Sequence, residues 1–405
     1  MIKQFFITIR LQSDALRDAK FDAAVRVLYN SHHIKPGEIA VIVSAEKRAY
    51  GLDLIKTLAI FFVICVHFSL NTAYYTTPVA GFNMLLQTVF RWLFVSCVPL
   101  FILSTGFLSG SKTEIKGHYP KLLRVVIPYI VICVLCLIVQ AFRNPGTFSL
   151  KNAVFSIFSF NADPYAWYVN MFIGLFLLMP YINRLLSGLE KKSFHILLIV
   201  MTLLFLLPQT FNPIFAYSDK FAFFYFPDFW AAVYPLFYYT AGAYIARFRP
   251  VIKARWCLLA VAATVLAQTL VLVIAQPYVQ NNWLLTNYGS VLVAAQSVAL
   301  FLLLYRAEIK NTAARRALPL ISSVTLEIYL FSYLADSTVY PYLYKLSSGI
   351  TQQEFYLRYF LVAVPVVFVS SLAAALLLHI AYTGAAKLLK RVFNRPEKIP
   401  AVGRR

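Results

Sequence analysis

Four ionisable side chains sit inside otherwise apolar runs of this chain: Lys56, His67, Glu327 and His379. A titratable group in such surroundings is costly, and a functional reason is the first one to look for. Lys56 and His67 are eleven residues apart. On an α-helix that is close to three turns, so both side chains share one face, ~16 Å apart along the axis. An imidazole exchanges a proton near neutral pH, and a lysine ammonium can hold an anion as a point charge. Asp53 falls on the same stripe and can pair with Lys56. Each residue also has a purely structural alternative. His67 can hydrogen-bond a neighbouring helix, Lys56 can snorkel to a membrane surface, and Glu327 can pair with a base to fix packing. His379 reads as structural. His32, His33, His118 and His195 lie outside the apolar runs or at their ends, without metal-site spacing, and no metal is expected.

The elements that must position these residues are membrane helices. The chain has 405 residues, of which 60% are hydrophobic, and a mean hydropathy of +0.70. That excess of apolar surface needs lipid to face. Ten apolar segments are each long enough to cross the hydrocarbon: about 52–72, 88–110, 125–142, 167–186, 194–211, 229–246, 256–276, 286–305, 317–336 and 356–381. The expected fold is an all-α integral membrane protein with ten transmembrane helices in one bundle. Thirty of the 37 Lys and Arg fall in the termini and one alternating set of connections, and five fall in the other set. By the positive-inside rule both termini are then cytoplasmic. This clustering also accounts for the net charge of +21 without a nucleic-acid partner. The five cysteines, Cys65, Cys97, Cys133, Cys136 and Cys257, lie in or beside apolar runs and read as small core residues. Residues 1–46 read as a cytoplasmic extension or a mis-assigned start without a signal peptide, residues 47–385 as the membrane domain, and residues 386–405 as a basic cytoplasmic tail.

The stretch from Gly51 to Phe68, with Lys56 and His67, resembles the opening span of acyltransferase family 3, bacterial polytopic membrane O-acyltransferases acting on cell-surface glycans. That family shows a basic residue, usually Arg, then ten residues and a His. Further segments match in order. Val98 to Leu108, with Thr105 and Gly106, is similar to its second span, and Lys121-Leu-Leu-Arg124 to a basic pair on the next cytoplasmic loop. Trp167-Tyr168 with Gly174 to Pro180 resembles the fourth span, and Leu326-Glu-Ile-Tyr-Leu330 a late Ile-Tyr-Leu segment where Gly is commoner than Glu327.

The resemblance implies an enzyme that moves an acyl group, most simply acetyl, from cytoplasmic acyl-CoA to a hydroxyl of a surface polysaccharide or lipid-linked glycan precursor. It implies catalytic roles for His67, as base or transient acyl carrier, and for Glu327 behind it. Lys56, Lys121 and Arg124 are then the residues for the coenzyme phosphates. The implied setting is the bacterial cytoplasmic (inner) membrane, with membrane lipids as surroundings and a separate extracytoplasmic acyl-transfer partner as an option. The alternative is polysaccharide export or another transport function on the same fold; no repeat between the halves supports it.

Overall fold

The computed structural model describes residues 50–215, 225–275, 287–348 and 357–393. The segment 1–46 and residues 394–405 of the basic tail lie outside them. Every regular element among the described residues is helical. The helices are α1 (Tyr50–Asn71), α2 (Gly81–Phe94), α3 (Cys97–Ser109), α4 (Leu123–Arg143), α5 (Leu150–Phe158) and α6 (Trp167–Ser187). They continue with α7 (Lys191–Met201), α8 (Leu207–Phe215), α9 (Pro235–Phe248), α10 (Ala254–Ala275) and α11 (Val291–Leu304). The last are α12 (Thr312–Ser323), α13 (Thr325–Leu346) and α14 (Phe360–Phe393).

The chain is an all-α membrane protein. Among the described residues, seven stretches are long and apolar enough to span a bilayer, and α12 with α13 makes an eighth if that pair, bent by 75°, counts as one span. Each of the ten expected segments contains helix, but three differ from a plain span. The segment expected over 229–246 is α9, a helix of 14 residues, and that expected over 286–305 is α11, also of 14 residues. At ~1.5 Å per residue each covers about 21 Å, short of the ~30 Å core. Both are largely buried, so protein rather than lipid surrounds them. The segment expected over 317–336 is the α12–α13 bend at Val324, and α13 runs on to Leu346 through residues expected in a connection.

The core forms around α1, α3 and α9. α1 is covered along most of its length, with Ile55, Ala59, Ile60, Ile64 and Phe68 all buried. α3 and α9 touch at backbone level. A Cβ built on Gly106 would lie 2.0 Å from the Tyr239 carbonyl oxygen, and one on Gly242 2.2 Å from that of Leu103. Only glycine permits this approach, the usual means of close helix packing in membranes. Asn183 of α6 clamps the end of α3, donating to the carbonyls of Ser109 and Lys112, each at 2.8 Å, while Tyr239 donates to its Oδ1 at 2.8 Å. The break between α2 and α3 is held from α11, where Gln296 donates to the Trp92 carbonyl at 2.7 Å and to Ser96 Oγ at 2.6 Å. At the α12–α13 bend, Ser322 donates to Asp53 of α1.

Candidate active site

His67 occupies the C-terminal part of α1 and is 5% exposed. Its Nδ1 faces α13, 3.6 Å from Asp336 Oδ2 and 3.4 Å from Ser332 Oγ. Tyr329, Ser332 and Asp336 are spaced by three and four residues, so one stripe of α13 turns toward α1. The Asp336 carboxylate is 2% exposed and is held by Tyr165, whose hydroxyl donates to Oδ2 at 2.8 Å. Asn71 closes the group, donating to the His67 carbonyl at 2.9 Å and reaching Asp336 Oδ2 at 3.4 Å. The Tyr165 ring lies over the imidazole with centroids 3.8 Å apart. Among the described residues no hydrogen bond engages Nε2 of His67.

Tyr165 comes from the turn that leads into α6. Its amide donates to Asp163 Oδ1 at 2.8 Å, and Tyr329 donates to its carbonyl. Asp163 is fully buried, its Oδ2 has no partner, and burial pushes its carboxyl up to about 7, against the pull of the Tyr165 amide. The loop that sets the ring over His67 is therefore fixed at both its amide and its carbonyl.

Two cavities flank α1. One, of about 200 Å³, is lined by His67, Tyr165, Trp167, Cys97, Tyr288 and neighbours. The other, of about 180 Å³, is lined by Lys56, Thr105, Val125, Tyr168, Phe172, Thr325 and neighbours. Val63, Val98 and Tyr329 line both. The cavities thus adjoin halfway along α1, with Lys56 on one side and His67 on the other.

Of the residues singled out from the sequence, Lys56 and His67 each line one of these adjoining cavities. Lys121, in the turn Tyr119–Leu122, and Arg124, in the first turn of α4, are exposed, and Val125 beside Arg124 lines the Lys56 cavity. Lys112 stands within electrostatic reach of Lys121, and partial burial together with that neighbour lowers its ammonium pKa. Glu327 does not join His67. It is nine residues from Asp336 on α13, about 900° of rotation at ~100° per residue, and so on the opposite face. Its electrostatic neighbours are His379 and Tyr382 of α14. The carboxylate beside the imidazole is Asp336, which sequence reasoning missed because an acid at the last position of an apolar segment resembles a boundary. The usable signal was the stripe it shares with Ser332 and Tyr329. Arg91, on α2, is 3% exposed.

No curated protein and no solved structure matches the chain. Residues 49–380 match the family model described as an acyltransferase domain. A match over that length, on a bundle of apolar helices, makes this chain a membrane acyltransferase belonging to acyltransferase family 3.

Proposed function

We propose that the chain is an O-acyltransferase of the bacterial cytoplasmic membrane that moves an acetyl group from cytoplasmic acetyl-CoA to a hydroxyl of a surface polysaccharide or its lipid-linked precursor. The observation that carries this reading is that the two cavities along α1 share Val63, Val98 and Tyr329, which this reading takes as a neck through which the acyl group is reached. The coenzyme phosphates stay at the Lys56 end with Lys56, Lys121, Arg124 and Lys112, where the positive-inside distribution puts the cytoplasm. The pantetheine arm lies in the largely apolar Lys56 cavity, and the thioester reaches the neck. The acceptor hydroxyl enters the His67 cavity from the other end.

His67 acts as general base through Nε2. Asp336, at Nδ1, orients the ring and balances the imidazolium as it forms. The hydroxyl proton passes to Nε2, the acceptor oxygen bonds to the thioester carbon, and the carbon–sulfur bond breaks. The departing coenzyme thiolate takes the proton back from the imidazolium, leaving ester, thiol and neutral imidazole.

The test is His67→Ala in cells, with the surface glycan weighed by mass spectrometry. The expected result is loss of acetyl groups from the glycan at normal membrane levels of protein. Normal acetylation by a well-accumulated variant sinks the mechanism.

A further inference from the structure

Arg91 lies on α2, within electrostatic reach of residues that line the His67 cavity, and no acid balances its charge among the described residues. It is 3% exposed. Its Nε donates to the Tyr75 hydroxyl at 2.6 Å, and its Cζ lies 5.5 Å from the Tyr75 ring centre. Nη1 is buried with no hydrogen-bond partner. No carboxylate pairs with it among the described residues, and the acid nearest the imidazole, Asp336, is engaged with Tyr165, Asn71 and His67. A buried guanidinium without a counter-ion is expensive and persists where something compensates it. Its position indicates what that is. The Arg91 charge acts on His67, Cys97 and Tyr288, three residues that line the His67 cavity. Tyr75, which it holds, belongs to the turn Tyr74–Thr76 just beyond the end of α1. Arg91 therefore stands between that cavity and the end of the bundle opposite Lys56. On the proposed orientation an acceptor arrives at this end.

We propose that Arg91 is the counter-ion for an anionic group on the acceptor, a carboxylate or a phosphate placed near the hydroxyl that receives the acyl group. The guanidinium presents planar paired donors, and both anions match them. The coenzyme phosphates are not candidates, because they belong with the Lys56 cavity on the far side of the neck. This inference rests on the acyl-transfer reading, and the experiment separates the two.

Purified protein in neutral-lipid nanodiscs is given acetyl-CoA and three acceptors: a neutral oligosaccharide, its uronic-acid counterpart, and its phosphorylated counterpart. Binding is followed by thermal shift without acetyl-CoA, and transfer by mass. The expected result is that at least one anionic acceptor exceeds the neutral one in kcat/KM by about ten- to hundredfold, the scale of a hydrogen bond to a charged group. Which one exceeds it tells carboxylate from phosphate. Arg91→Gln collapses that ratio toward one, through KM for the acceptor and not KM for acetyl-CoA, and Arg91→Lys restores part of it. Transfer that is indifferent to acceptor charge, or a ratio that survives in Arg91→Gln, overturns the role of Arg91 and leaves acyl transfer standing. Arg91-dependent binding of an anionic acceptor with no transfer overturns acyl transfer and leaves the anion site standing. Should Arg91→Gln fail to accumulate, the ratio in Arg91→Lys, reduced or intact, decides.

Discussion

At the scale of single residues, two carboxylates make opposite predictions. Asp336 is the acid beside the imidazole, and Glu327 faces α14. Asp336→Asn should lower kcat by about 10²-fold or more, the lower range of general acid–base contributions, with KM for acetyl-CoA little changed. Glu327→Gln should leave kcat near wild type. Kinetics of the two purified variants decide the matter, and the reverse pattern restores the assignment suggested by the sequence. Asp163 predicts a pH dependence. Its ordinary pKa of 3.8 is raised to about 7 by burial. Between those values the unfolded chain is ionised while the folded one keeps its proton, so this residue removes stability as pH rises, and the loss levels off above 7. Asp163→Asn keeps an oxygen for the Tyr165 amide and escapes the loss. Thermal midpoints in detergent should show the variant gaining on wild type from pH 4 to 7 and holding level beyond. A gap that does not change with pH contradicts this account. The stripe from Lys56 to His67 was legible because both residues share one helix, and helical period is a local property. Asp336 and Arg91 were not, because what makes them notable is a neighbour on another helix or the lack of one.

At the scale of elements, the crossing with α9 fixes α3, which supplies Val98, Phe101 and Thr105 to one wall of the Lys56 cavity. Thr105 lines that cavity and is the neighbour of Gly106, which lies against the Tyr239 carbonyl. Gly106→Ala has to push the two helices apart, at about 1–3 kcal/mol for an overpacked core. The expected outcome is a lower thermal midpoint and weaker use of acetyl-CoA. Gly174→Ala on α6 is the control, since an added Cβ there meets nothing within 4 Å and alanine favours helix by about 1 kcal/mol. Equal midpoints for the two variants would remove the argument for backbone contact. The family-like segment around Gly106 was visible in the sequence, but its physical reason was not. It depends on Gly242, more than a hundred residues away, and no periodicity links the two.

At the scale of the whole molecule, apolar length identified where helix lies better than how it spans. Hydropathy answers whether a segment can live in lipid, and most of the ten segments are helices with an outward apolar face, such as Leu258, Leu266 and Ile274 on α10. It is blind to a segment whose surroundings are protein. α9 and α11 carry apolar side chains because they are enclosed, and once enclosed they need not reach across the membrane. The bend at Val324 escaped for a similar reason. Ser322 is tied to Asp53 across the bundle, a contact that leaves no trace in a sliding average.

The neck proposed at Val63, Val98 and Tyr329, which line both cavities, bears on the membrane as well. A passage that reaches from one membrane face to a chemical centre near the other is a hazard to a cell that stores energy as an ion gradient. Two valines and a tyrosine ring offer no water-like coordination to a proton or a sodium ion, so the neck is also an insulator. On this view the acyl group is well suited to cross there because it is small and uncharged, while the coenzyme that carries it is neither. On the proposed reading, the same narrowing that delivers the cargo would keep the carrier, and the membrane potential, on the side where they began.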